Sequence, residues 1–209
     1  MEKAMNGVHG DRVLLGVGRC LCLYEDDGVV MEFQCCWASP GQGQVLVSGN
    51  MSQATRDSID FVRHLVTEHR PAIAAKLGVK PGALPSLVRP YMDLHVHCEK
   101  PFKPVEACYN MPAAYVAMVS LLFNRQPRWD TVVFGDLNNY GYMSSDWRWR
   151  DEMLNICQVR QIRRVVLAQG TIVSDAVRAA AAVAQDDGKP LVELIFLESD
   201  IVSALHYFF

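Results

Sequence analysis

The sequence predicts an α+β protein: a mixed β-sheet flanked by helices, in a single domain. Three observations predict it. Apolar, strand-forming runs separated by short turns come first, which reads as hairpins. Strands alternating with helical patterns follow, and that alternation favours parallel neighbours in the same sheet. No Pro-, Gly- or Ser-rich linker divides the chain, and its 209 residues suit one large domain.

The elements can be justified in order. Val13 to Tyr24 is rich in Val, Leu and Cys and predicts a strand. Glu25 to Gly28 is a turn, and Val29 to Trp37 the second arm of a hairpin. A turn at Ser39 to Gly43 leads to a short strand, Val45 to Ser48. Ser52 is placed as a helix N-cap, because Ile59, Val62 and Val66 recur at helical spacing, with Phe61 and Leu65 widening the stripe. This helix is expected to reach about His69, where Pro71 interrupts or restarts it. Pro81 to Pro90 is a loop. Met92 to Cys98 alternates Leu94, Val96 and Cys98 with Asp93, His95 and His97, so one face of this strand is apolar and the other polar. Pro112 to Asn124 is apolar nearly all round, the pattern of a central buried helix, with Pro112 in its first turn. Thr131 to Phe134, Arg164 to Ala168 and Leu191 to Leu197 are strands. Trp149 to Cys157, Ser174 to Ala184 and Ser199 to Phe208 are helices.

Composition excludes several classes. Half the residues are hydrophobic, enough for a sizeable core. A net charge of −3 is not the footprint of a protein that coats nucleic acid. No apolar run reaches the roughly 18 residues of a membrane span, and Met1 to Arg12 has neither a signal-peptide core nor transit-peptide character. Seven cysteines without a CxxC pair predict free thiols, not a disulfide framework or zinc site. The expected location is therefore an intracellular reducing compartment, cytoplasm or mitochondrial matrix.

From Gly28 onward the residues resemble a known family. Gly28 to Phe33, then Pro40-Gly41-Gln42-Gly43-Gln44-Val45-Leu46-Val47-Ser48-Gly49, then Arg56-Asp57-Ser58 and Phe61-Val62-Arg63, follow one another as in the proteolytic domain of Lon proteases. Asp93-Leu94-His95-Val96-His97 matches the family's DIHIH segment, and Val116 to Leu122 with Arg128 to Leu137 match its next helix and strand. The resemblance runs from residue 13 to 209, leaving 1–12 as an N-terminal extension, and implies the Lon proteolytic-domain fold.

The resemblance also locates the family's Ser–Lys dyad. The serine segment aligns with Pro104-Val105-Glu106-Ala107-Cys108-Tyr109-Asn110-Met111, so Tyr109 stands at the serine. The lysine segment aligns with Trp147-Arg148-Trp149-Arg150-Asp151-Glu152, so Glu152 stands at the lysine. The two are 43 residues apart, as in the family. A Ser–Lys dyad needs a compact hydroxyl beside a neutral amine. A phenol and a carboxylate supply neither, and the glycines beside the serine, which would let backbone amides face an oxyanion, are absent. No catalytic residue is expected, nor any cofactor. No GxxxxGK[ST] phosphate loop occurs in the sequence, so an ATPase motor would be another subunit or lie upstream in a longer precursor.

The reading that follows is a pseudopeptidase acting as a structural or protein-interaction subunit. Its expected partners are protein subunits, in a homo-oligomer or hetero-complex with an ATPase in trans, and no membrane. Arg128, Trp129, Trp147, Arg148, Trp149 and Arg150 are the candidate interface, with Tyr140 and Tyr142 nearby in sequence. Two rivals stand beside it. One is a divergent peptidase using Cys108, with His95 or His97 as base. The other is an RNA-binding component of a ribonucleoprotein particle that stacks bases on the same aromatic–arginine segment. His95 and His97 can also ligate a metal, but a satisfied structural pair is the expectation, with no metal site. Tyr109 and Glu152 read as a filled pocket joined by a hydroxyl–carboxylate hydrogen bond, against an unusual acid–base pair. Arg160, Arg163 and Arg164 read as a solvated basic run, against a contact for an acidic partner.

Overall fold

A computed structural model of the protein describes residues 15–24, 27–49, 51–80, 84–99, 111–144, 151–183 and 191–209. Nine strands and five helices lie among them: β1 (Val17–Tyr24), β2 (Asp27–Ala38), β3 (Val45–Gly49), α1 (Gln53–Lys76), β4 (Asp93–Glu99), α2 (Met111–Phe123), β5 (Thr131–Phe134), β6 (Asp136–Leu137), β7 (Met143–Ser144), α3 (Asp151–Val159), β8 (Arg164–Ala168), α4 (Asp175–Ala181), β9 (Glu193–Leu197) and α5 (Leu205–Phe208). Seven strands form one mixed sheet in the order β3-β4-β2-β1-β5-β8-β9. The pairs β1–β2 and β2–β4 are antiparallel, and the other neighbours are parallel. Strands β6 and β7 make a separate two-stranded ribbon.

Side-chain alternation along the strands explains the layers. Cys20, Met31, Phe33, Cys35, Leu94, Val96, Cys98, Val133 and Val166 point to one face, where they form a core with α1, α2 and α5. Leu21, Val132, Phe134, Val165 and Leu167 point to the other and pack with Met153, Leu154 and Cys157 of α3 and Val177 and Ala181 of α4. Helix α2 is buried along almost its whole length, as its unbroken apolar composition requires. It presses closely on β1 at Gly18, where a Cβ would collide with the Ala113 carbonyl. Buried Ser120 ties the two together by donating to the Arg125 carbonyl at 2.7 Å and accepting from the Gly16 amide at 2.8 Å.

The helix start at Ser52 is as the sequence implies: its hydroxyl accepts from the Thr55 amide at 3.2 Å. Two boundaries differ. Helix α1 runs unbroken through Pro71 to Lys76. Proline leaves the carbonyl four residues earlier, that of Thr67, without its helical donor. The Arg70 side chain replaces that donor, its Nε lying 3.1 Å from the Thr67 oxygen. At the chain end the expected long helix is a series of turns at 201–204, held by Ser203 against Asp200, followed by the single helical turn α5.

Candidate functional site

The sheet is not covered evenly. Helices α3 and α4 lie over β1, β5, β8, β9 and the Val30 end of β2, and among the described residues no helix packs on the same face of β3 and β4. On that uncovered area the register sets Cys36 opposite His95 and Gln34 opposite His97. On the other side of β4 it sets Leu46 beside His95 and Ser48 beside His97. The polar half of the β4 alternation therefore meets polar neighbours from both flanking strands.

Those neighbours make direct contacts. Ser48 Oγ lies 2.7 Å from His95 Nε2 and 2.8 Å from His97 Nδ1, so one hydroxyl bridges both imidazoles. The remaining nitrogen of His95, Nδ1, lies 4.0 Å from Cys36 Sγ. The histidine pair is thus engaged in hydrogen bonds, and no group of three or more His, Cys, Asp or Glu side chains suited to a metal ion occurs among the described residues. Both ring nitrogens of His95 are taken, by Ser48 and Cys36. Beside the cluster, Asp93 Oδ1 accepts from the amides of Gln42 and Gln44 at 2.7 and 2.9 Å and so holds the turn entering β3. Those amides, Gln42 foremost, hold its carboxyl below the ordinary carboxylate range.

Cys20, Cys35, Cys36, Cys98 and Cys157 are free thiols. Cys36 alone of these five is exposed. Burial pushes Cys157 up to about 12 and Cys35 far above its ordinary value, so both remain protonated and unreactive at neutral pH. Cys36 carries no distinguishing motif. Its partner lies 59 residues away and meets it only through the β2–β4 register.

Tyr109 and Glu152 are the residues that the resemblance sets at the Ser–Lys positions. Tyr109 precedes α2 by two residues and lies, with Cys108, outside the described residues. Glu152 is the second residue of α3, and its side chain is likewise outside them. Trp147, Arg148, Trp149 and Arg150 of the candidate interface are also outside. Arg128 and Trp129 are placed: both are exposed in the turn before β5, with Trp129 at 44%. The turn is anchored through its backbone, the Arg128 amide donating to the Phe208 carbonyl at 2.7 Å and the Arg19 guanidinium to the Trp129 carbonyl. Tyr140 and Tyr142 are exposed as well. Of the basic run, Arg164 is used internally, 3.1 Å from Glu193 and 3.7 Å from Asp130.

A further polar contact joins the helices on the covered face. Tyr115, fully buried in α2, lies with its hydroxyl 3.0 Å from His69 Nδ1. Burial pushes the phenol up, so it stays protonated, and the His69 tautomer sets which of the two groups donates. Desolvation also lowers the His69 imidazole below its ordinary 6.5. Gly141 adopts φ 82°, and a Cβ there would strike the His69 ring.

Taken together, these features define a single-domain mixed-sheet protein flanked by helices, an architecture consistent with a Lon-type proteolytic domain. No family model matches the chain. It is similar to the Lon protease of Methylocella silvestris, 28% identical over 103 residues, which is 49% of this chain and 12% of that protein. It is similar also to the Lon protease of Phenylobacterium zucineum, 24% identical over 160 residues, 77% of this chain and 18% of that protein. The chain thus matches less than a fifth of the length of these relatives. The likeness is a distant relation to Lon proteases. Among the described residues no helix is long and apolar enough to cross a membrane.

Proposed function

We propose that the chain is a Lon-like domain that keeps the fold and lacks the Ser–Lys dyad, serving as a structural and protein-interaction subunit of a larger assembly. The observation that carries the reading is the pair Tyr109 and Glu152, at the family's separation, one just before α2 and one at the start of α3. A phenol and a carboxylate cannot reproduce attack by a serine hydroxyl deprotonated by a neutral amine. The distant Lon likeness supports the fold half of the reading. The interface half is supported by Arg128 and Trp129, exposed side chains of the types that anchor protein contacts, on a turn braced by the Phe208 carbonyl and Arg19. The proposed partners are other protein subunits, an ATPase among them.

Native mass spectrometry of the chain purified from its source cells tests this. The expected result is a stoichiometric complex with other protein subunits, weakened by Trp129→Ala. A chain recovered as a free monomer under gentle conditions overturns the scaffold role.

A further inference from the structure

We propose that Cys36, His95, Ser48 and His97 form a proton relay that makes Cys36 a nucleophilic thiol site for small disulfides. The inference rests on the uncovered face of the sheet and is independent of the scaffold reading.

Ser48 has one hydroxyl hydrogen and stands between two imidazole nitrogens, 2.7 Å from His95 Nε2 and 2.8 Å from His97 Nδ1. It can donate to one of them and must accept from the other. With a thiol at Cys36 and neutral rings, two arrangements satisfy every contact: in one, His97 Nδ1–H donates to Ser48, Ser48 O–H to His95 Nε2 and His95 Nδ1–H to the Cys36 sulfur, and the other, with every donor reversed, sets up the relay. Cys36 S–H donates to His95 Nδ1, His95 Nε2–H donates to Ser48 Oγ, and Ser48 O–H donates to His97 Nδ1. Shifting each hydrogen of this relay arrangement one step along the chain gives a third that is equally complete. His97 is then an imidazolium donating to Ser48, Ser48 donates to His95 Nε2, and His95 Nδ1–H faces a Cys36 thiolate. The thiol proton has in effect moved to His97 with no hydrogen bond lost. A thiol beside a base that a third group orients is the general arrangement of an activated nucleophile.

Accessibility completes the case. Cys36 is exposed on the uncovered face, whereas Cys35, its neighbour in β2, points into the core and is held protonated by burial. The reaction balances. The Cys36 proton passes to the relay, and the thiolate attacks one sulfur of a disulfide such as oxidised glutathione. The disulfide bond breaks as a new sulfur–sulfur bond forms to Cys36. The departing thiolate recovers the proton from His95 Nδ1–H. Cys36 is oxidised to a mixed disulfide, and half of the small disulfide is reduced to a thiol.

The test follows the mass gain at Cys36 when the folded chain meets oxidised glutathione at neutral pH, with peptide mapping to locate it. Cys36 in the folded chain should react at least about ten-fold faster than Cys36 in the same chain unfolded in urea, general-base assistance being of that order or more. His95→Gln should remove the advantage. Ser48→Ala, which leaves the Cys36–His95 contact in place, should also slow the reaction several-fold, an effect that contact alone would not produce. Equal rates for folded and unfolded wild-type chain overturn the proposal without relying on any variant. A rate unchanged by Ser48→Ala in a chain of native circular dichroism overturns the relay.

Discussion

Strands β5 and β8 are apolar on both sides: Val133 and Val166 enter the core beneath α2, while Val132, Val165 and Leu167 enter the one beneath α3 and α4. Strand β4 is apolar on one side only, and β3 carries one apolar side chain, Leu46, beside Ser48 on its other side. Val47, Leu94 and Val96 face the first core, but Ser48, His95 and His97 lie on the uncovered face. The backbone is equally regular in both regions, so the difference lies in what covers the strands. Where helices sandwich the sheet, a polar side chain would be buried without water and must be excluded or fully bonded. Where one face is open, polar side chains persist and satisfy one another. Chemistry in this molecule is therefore sought on the open half, and stability on the sandwiched half.

The contrast can be broken most forcefully with one substitution made twice. Leu167→Ala, at a fully buried site of β8, should cost about 2–5 kcal/mol in urea unfolding. Leu46→Ala, at 41% exposure on the open face of β3, should cost no more than about 0.5 kcal/mol. Equal costs would mean that something covers the open face. Next in size, Ser48→Ala removes a hydroxyl shared by two imidazoles and should cost about 1 kcal/mol, measured the same way. Arg56→Ala acts on the sheet margin. The Arg56 guanidinium donates to the carbonyls of Val47 at 2.7 Å and Gly49 at 3.2 Å, occupying backbone acceptors of edge strand β3. Its loss should cost under about 1 kcal/mol but promote concentration-dependent self-association, visible by sedimentation, because a bare edge invites another strand.

The smallest effect is a pH dependence on the covered side. Burial lowers the His69 imidazole below 6.5, so the unfolded chain binds its proton more readily than the folded one. The stability this contributes is complete above pH 6.5 and is lost as the pH falls below that value toward the folded-state pKa. His69→Gln should flatten the unfolding midpoint in that window, and an unchanged slope would remove His69 as its source.

Much of this architecture was legible along the chain. The alternation in Met92 to Cys98 told which face was apolar, and the uniform apolarity of Pro112 to Asn124 told that α2 is central, because both patterns follow directly from side-chain periodicity. Pro71 misled because its missing hydrogen bond is replaced by a neighbouring Arg70 side chain, which no propensity rule registers. The site was legible in part. His95 and His97 stood out as a pair, but Ser48 and Cys36 became their partners only through strand register across 47 to 59 residues of sequence. Register between distant strands is set by the assembled sheet, so Cys36 looked like any other thiol in an apolar run.

The proposal that this Lon-like fold lacks a working Ser–Lys dyad is tested most directly by a casein-cleavage assay on the purified chain, with and without ATP. It predicts no turnover above buffer in either condition, and no change on Tyr109→Ala or Glu152→Ala. ATP-stimulated cleavage that either substitution abolishes would contradict it.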